Sequence, residues 1–264
     1  MKKIVVITGG TSGIGLETLN HFVKNGWKVY ELSRREKGVN EDAVHIPTDV
    51  TNENQVKAAV NQIMQDEGQI DVLINNAGYG ISGAIEFTSI EKAKQQFDVN
   101  FFGMVCVNLS VLPVMRKQNS GKIINISSVA APIAIPFQAY YSASKAAIKS
   151  YSMALANEVK PFGVQITSIL PGDIKTCFTS AREKIISGDD IYNGRIGRSV
   201  AVMEHDEQNG MSAAVAGRFI YKIAAKKKIK PVYTIGLKYK LFVLLAKILP
   251  EKAVNALVGM IYAK

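Results

Sequence analysis

The side chains best placed to do chemistry are a hydroxyl, a phenol and an ammonium at fixed spacing: Ser128, Tyr141 and Lys145. Tyr141 and Lys145 stand four positions apart, so a helix through them carries both on one face. A phenol with its ordinary pKa near 10 is a poor base near neutral pH. A cation one helical turn away is expected to stabilise the phenolate and lower that pKa. Tyr141 is thus the candidate general acid for reducing a carbonyl and the general base for oxidising an alcohol. Ser128 can donate to the developing alkoxide. Tyr140 is the competing phenol, but four residues on lies Ser144, which has no charge to offer.

A lone Tyr-x-x-x-Lys match carries little weight in a chain with ten tyrosines; its surroundings decide. A β-branched run, Ile4-Val5-Val6-Ile7, leads into Thr8-Gly9-Gly10-Thr11-Ser12-Gly13-Ile14-Gly15. Gly9 permits a tight turn, Gly13 lets a pyrophosphate approach the backbone, and Gly15 lets helix and strand pack closely. The N–H groups opening the helix, on Thr11, Ser12, Gly13 and Ile14, then face the phosphates. The three-residue gap between Gly9 and Gly13 departs from the usual G-x-G-x-x-G.

Strand and helix alternate from there. Strands are predicted at 3–8, 29–32, 44–46, 72–74, 123–126, 164–170 and 232–235. Helices are predicted to about 24, from Thr51, along one long run to about 116, and over 140–159 and 212–225. Repeated strand–helix units imply a doubly wound α/β domain, with a parallel sheet covered by helices on both faces. Ligands in that architecture sit beyond the C-terminal strand ends. Residues 173–210 mix glycines, charges and isolated apolar residues, and read as a mobile lid without a core of its own.

The glycine turn, Asn75-Asn76-Ala77-Gly78, Ser128, Tyr141-x-x-x-Lys145 and Pro171-Gly172 occur in an order that resembles the short-chain dehydrogenase/reductase family, from residue 3 to about 176. The resemblance implies a single Rossmann domain, with a seven-stranded parallel sheet in the order 3-2-1-4-5-6-7. It also implies a nicotinamide dinucleotide cofactor and interconversion of an alcohol and a carbonyl. Family spacing selects Ser128 over Ser127 as the catalytic hydroxyl, leaving Ser127 to local backbone groups. It adds Asn100 as the residue that positions a water in a proton relay behind Lys145. Tyr141 and Lys145 would also contact the cofactor, Lys145 through the ribose hydroxyls. Asp49 and Val50 resemble the pair that contacts the adenine, and Asn76, Ala77 and Gly78 begin beside the adenosine ribose. Pro171, Gly172, Ile174 and Thr176 match the segment that holds the carboxamide.

The end of the second strand decides the form of the cofactor. An acidic residue there would accept from the ribose hydroxyls and repel a 2′-phosphate. This chain has Ser33 followed by Arg34 and Arg35, and a guanidinium favours the phosphate. NADP(H) is expected over NAD(H), with Arg34 as the main contact; Glu31 falls inside the strand. No metal site is expected, because His21, His45, His205, Cys106 and Cys177 have no ligand spacing.

The segment 129–139 between Ser128 and Tyr141 carries no formal charge, which favours a lipophilic alcohol or ketone of steroid, retinoid or long-chain type. Phe178 and Met203 are expected to close over it. The formal charge of +10 lies wholly in residues 211–264, where eleven Lys/Arg face Glu251 alone. That asymmetry argues against a nucleic-acid binder and for an appended surface element. Residues 1–235 are therefore read as the catalytic domain, and 236–264 as a basic amphipathic extension of two helices divided by Pro250. The extension either packs on the protein or lies on an anionic membrane surface. Its tail is similar to the branch of 17β-hydroxysteroid and retinol dehydrogenases. Two cysteines and no signal peptide fit a cytoplasmic protein, peripheral on a membrane in the second reading. A homodimer or homotetramer is the expected assembly. The alternatives are a β-ketoacyl-type or other small-carbonyl reductase, and a protein that senses NADP(H) without turnover.

Overall fold

The computed structural model describes residues 2–263. Its core is a seven-stranded, all-parallel sheet: β1 (Ile4–Thr8), β2 (Lys28–Ser33), β3 (Ala43–Pro47), β4 (Val72–Asn75), β5 (Gly121–Ile126), β6 (Val164–Leu170) and β7 (Val232–Thr234). The spatial order is 3-2-1-4-5-6-7, as expected. Strand side chains alternate between faces, and both faces of β1 are buried. Ile4 and Val6 enter one apolar cluster with Tyr30, Val107 and Leu155, while Val5 and Ile7 enter a second with Leu19, Phe22 and Ile220. Each such side chain contributes about 1.5–3 kcal/mol on burial. This explains why a short, unbroken β-branched run suffices for the central strand.

The first cluster is closed by α2 (Glu53–Glu67), α4 (Gly103–Gln118) and α5 (Ala139–Glu158), and the second by α1 (Gly13–Lys24) and α8 (Ala213–Ala225). Helix α1 meets α8 backbone to backbone: a Cβ on Gly217 would lie 2.6 Å from the carbonyl carbon of Glu17. The cap of α2 is Asn52, whose side chain accepts from Asn54 N and Gln55 N, rather than Thr51. The Thr51 hydroxyl instead donates to Asp49 at 2.8 Å.

The long helix expected before residue 116 is interrupted. Helix α3 (Ile90–Phe97) passes through a π-helical turn, Asp98–Phe102, into α4. The extra residue of such a turn redirects side chains, and π-turns often occur at functional sites; here it buries Asn100. By length and composition the run Ile90–Gln118 could cross a membrane. Val107, Val111 and Met115 are instead fully buried in the first cluster, so it serves as a core helix.

Residues 173–210 are more ordered than the sequence suggests. They form α6 (Phe178–Ala181) and the fourteen-residue α7 (Arg195–Gln208). Ile196, Val200 and Met203 fall on one helical face and are buried; Ile196 and Met203 join Ala84 and Phe137 in a third apolar cluster. Frequent glycines and charges masked that spacing. The tail folds as α9 (Leu237–Ile248) and α10 (Glu251–Tyr262). Tyr239 packs against Gly172, and its hydroxyl donates to Asp173 at 2.6 Å. Tyr262 packs against the third cluster, and the Arg195 Nε donates to the Ala263 carbonyl at 2.9 Å. This packing uses Tyr239, Val243, Val258 and Tyr262, and leaves Leu237, Leu241, Leu244, Ile248, Leu257 and Met260 exposed.

Candidate active site

Strand order reverses between β1 and β4, and the loops leaving their C-terminal ends meet there. Thr8 clamps them: its hydroxyl accepts from Asn76 N and Ala77 N, both at 3.1 Å. The Asn76 amide donates back to the Gly9 carbonyl at 2.9 Å. At the end of β4, Asn75 donates to Asn108 of α4 (2.7 Å) and Asn125 of β5 (2.8 Å), which fixes the floor of the site.

A cleft of about 670 Å3 runs along these strand ends. At one end lie Gly9, Thr11, Ser12, Gly13 and Ile14, with Ser33, Arg34, Asp49 and Val50 beside them. In the middle are Asn76, Ala77 and Gly78. At the other end are Ser128, Tyr141, Lys145, Pro171, Gly172 and Ile174, with Thr176 folding back to Gly13, 3.3 Å from where a Cβ there would be. Gly15 and Asn100 are not on its wall. Gly15 is a packing position, since a Cβ there would lie 2.2 Å from the Gly9 carbonyl oxygen. Asn100 sits behind the wall, its Oδ1 accepting from Tyr79 N at 2.9 Å and its Nδ2 donating to Tyr79 O and Ser144 Oγ. Asn100 Oδ1 and Lys145 Nζ nevertheless both approach Gly78, at 2.9 and 3.6 Å from where a Cβ would be.

The cleft suits an elongated, anionic dinucleotide. Ser12 does not cap α1 with its side chain, and the first turn of that helix holds no acid, so its N–H dipoles face the cleft. Glu31, the one carboxylate at that end of β2, is buried and occupied. It accepts from Gly10 N at 2.9 Å, meets His45 Nδ1 at 2.5 Å, and accepts from Ser33 Oγ at 3.3 Å. His45 Nε2 in turn reaches the Arg35 carbonyl at 2.8 Å. The dyad thus ties the glycine turn to the loop carrying Arg34 and Arg35. The spacing of Glu31 and His45 gives no hint of this in the sequence; they meet because β2 and β3 pair them in register.

At the other end, the Tyr141 hydroxyl hydrogen-bonds Ser128, and the Lys145 ammonium lies 5.6 Å from the centre of the Tyr141 ring. Ser127 turns away and donates to the Lys145 carbonyl at 2.7 Å. The sign of the phenol's shift is opposite to that expected from spacing. Tyr141 keeps some exposure to the cleft but lies deep in the molecule, and its pKa is pushed up to about 12. Burial is the main cause. The charges of Glu207 and Asp173 add to it, while the Ser128 hydrogen bond and Arg182 oppose it. Lys145 does not offset this, because burial lowers its own pKa to about 8 while its Nζ donates to the Ile126 carbonyl at 3.0 Å. In this state Tyr141 is a firmly protonated donor.

Several wall residues escaped the sequence reading. Phe178 lines the cleft and packs on Tyr141 with ring centres 5.7 Å apart, whereas Met203, expected beside it, is buried in the lid cluster and does not reach the cleft. The lid also brings Asp173 and Glu207 to the wall. Glu207 is braced by Arg182 and by Thr179 Oγ1 at 2.7 Å. Burial holds the Asp173 carboxyl above the usual range despite its bond from Tyr239. Phe137 adopts a left-handed φ of 57°, rare for a side chain of its size, with its ring against Tyr192. Among the described residues, no three His, Cys, Asp or Glu side chains gather as metal ligands.

A family model described as short chain dehydrogenase matches residues 3–185. The chain is 42% identical over 227 residues to 3-ketodihydrosphingosine reductase of Bacteroides thetaiotaomicron, covering 85% of this chain and 84% of that protein. It is 30% identical over 263 residues to dehydrogenase/reductase SDR family member 7B of Xenopus tropicalis, covering 94% and 82%. A short-chain dehydrogenase from Streptomyces avermitilis superposes with a TM-score of 0.84 at 26% identity, covering 98% of this chain and 96% of that one. ElxO, solved with NADP bound, gives a TM-score of 0.76 at 28% identity, covering 91% and 100%. The chain belongs to the short-chain dehydrogenase/reductase family of oxidoreductases, whose fold binds a nicotinamide cofactor.

Proposed function

We propose that this protein is an NADP(H)-dependent carbonyl reductase acting on a lipophilic, long-chain ketone. The observation that carries the reading is a buried, protonated Tyr141 hydrogen-bonded to Ser128 in a cleft whose wall also includes Arg34. Reduction needs a proton donor at the substrate oxygen. A nicotinamide cofactor, which Lys145, Ile174 and Thr176 would hold, would supply the hydride when bound. Tyr141 gives the proton and Ser128 holds the oxygen by a hydrogen bond. Lys145 keeps positive charge beside the phenolate left behind. Asn100 orients the Tyr79 backbone and Ser144 and sits where a water relay behind Lys145 would pass. With this catalytic set intact, turnover is favoured over cofactor sensing alone.

The preference for NADP(H) rests on Ser33 and Arg34, and on Glu31 being engaged by Gly10 and His45, so that no free carboxylate meets a 2′-phosphate. The long-chain assignment rests on the uncharged wall from Val129 to Ile135 and on the likeness to 3-ketodihydrosphingosine reductase. Asp173 places a carboxyl near Tyr141, beside Glu207 in its ion pair with Arg182, a setting that suits a ketone bearing an ammonium group. A cytoplasmic homodimer or homotetramer, with residues 236–264 as a membrane-facing extension of the 1–235 domain, completes the reading. The exposed leucines of α9 support that last part.

A panel of ketones tests it, followed by loss of NADPH or NADH absorbance. Long-chain 2-amino-3-ketones are expected to turn over fastest, ahead of steroid, retinoid and β-ketoacyl thioester substrates. Faster turnover of small polar keto acids overturns the substrate class. Arg34→Ala is expected to weaken NADPH about tenfold to a hundredfold while leaving NADH unchanged. Equal loss for both cofactors removes the phosphate role.

A further inference from the structure

A second cavity, of about 550 Å3, lies on the far side of the domain, between α8, the outer edge of β7 and α9. Its charged lining is Lys226, Lys230, Lys240 and Lys247, and no carboxylate contributes to it. All four lysines are exposed, and none belongs to an ion pair among the described residues. Between them the walls are apolar: Phe219 and Ile223 from α8, Val243 and Leu244 from α9. The positive field reaches further, since Lys247 adds to burial in lowering the pKa of Lys149 on α5. Lys226 also lies over the Tyr233 ring, 5.5 Å from its centre, so the lining offers four lysines without a carboxylate partner, a field that favours an anion.

The surroundings say which anion. Leu244 belongs both to the cavity wall and to the outward face of α9, where Leu237, Leu241 and Ile248 repeat at helical spacing and stand 83%, 53% and 69% exposed. A nucleic acid would leave that leucine face in water. A second copy of the chain docked by twofold symmetry on the same face would set lysine against lysine. An acidic lipid in a bilayer meets both needs, with phosphate among the lysines and acyl chains against the leucines.

We infer that the groove between α8, β7 and α9 is a binding site for the headgroup of an anionic phospholipid, and that it orients the leucine face of α9 on a membrane surface. This rests on the membrane-facing reading of the extension given above. Each lysine near an anionic surface is worth roughly a fivefold gain in partitioning, and the gain should fall with salt as the Debye length shrinks.

The test is flotation of the full-length protein with vesicles of phosphatidylcholine alone or with about one third phosphatidylglycerol. Wild type is expected to float only with the anionic vesicles and to be released at high salt. A Lys226→Gln, Lys230→Gln, Lys240→Gln, Lys247→Gln variant is expected to lose at least fiftyfold in partitioning, with unchanged NADPH binding and turnover of a soluble ketone. A second variant, Leu237→Ser, Leu241→Ser, Ile248→Ser, changes only exposed positions and is expected to lose binding to the anionic vesicles as well. If the leucine variant fails to float while the lysine variant floats normally, membrane attachment stands and the headgroup site is refuted. Equal flotation of wild type on neutral vesicles also refutes it. So does equally tight binding of inorganic phosphate in calorimetry, which would mark a soluble-anion site. Self-association lost in the leucine variant, without lipid binding, would assign the face to a second copy.

Discussion

The two ends of the catalytic cleft are held by different forces. At the adenosine end, hydrogen bonds between neighbouring strands fix the geometry: Thr8 to Asn76 and Ala77, and Glu31 to Gly10 and His45. At the substrate end, an apolar cluster of Ile196, Met203 and Phe137 is joined to the domain by two-residue strand pairings and by side-chain contacts within the lid and tail, Glu207 with Arg182 and Thr179 and Asp173 with Tyr239. Polar contacts anchored on a sheet leave little freedom. A small apolar cluster joined by short pairings has few contacts to lose, and opens at lower free energy. The cofactor end is therefore preformed and the substrate end is adjustable.

The largest effect should come from the junction of the two ends. Tyr141→Phe removes the proton donor but not the cleft wall, and turnover should fall by about 10²–10⁴ with NADPH affinity retained; fluorescence titration of NADPH beside steady-state rates checks both. Unchanged turnover would remove the tyrosine from the chemistry. Next, Met203→Ala should cost about 2–5 kcal/mol of local packing in the lid. If the two ends are independent, ketone KM rises and NADPH affinity does not; hydrogen exchange of α7 should quicken. A matching loss of NADPH affinity would break the contrast.

Lys145 gives a pH test. Its pKa in the folded protein is lowered to about 8 from 10.5, so between those values the unfolded chain binds more protons and stability rises with pH. The contribution is complete above 10.5 and is lost as pH falls through 8, and amounts to roughly 3 kcal/mol. Tyr141 acts oppositely and higher, losing its contribution as pH rises from 10 towards 12. Urea unfolding of the cofactor-free protein at pH 7.5, 8.5 and 9.5 should show the rise, and Lys145→Met should flatten it. The smallest effect is expected from His45→Ala, which leaves Glu31 short of one partner. NADPH KM should rise about fivefold to tenfold with little change in kcat, as for loss of one ordinary hydrogen bond. An equal rise in ketone KM would mean the dyad supports the whole cleft and not the adenosine end alone.

The sequence by itself determined the alternation of strands and helices and the spacing of Tyr141 and Lys145, while the family resemblance carried the strand order and the choice of Ser128. Those depend on local periods, on turn residues, and on a four-residue helical spacing that survives any packing. Only the tertiary structure decided how Glu31, buried on β2 between β1 and β3, finds a hydrogen-bond partner fourteen positions away, because strand register is a non-local property. It also decided the sign of the Tyr141 shift: spacing revealed the nearby cation, whereas burial and the carboxylates of Asp173 and Glu207, brought in by the lid, set the outcome. The same holds for the tail. Its amphipathic helices were legible, but which apolar face is covered by Gly172 and the lid, and which is left facing outward over a ring of lysines, follows from where the chain returns in space.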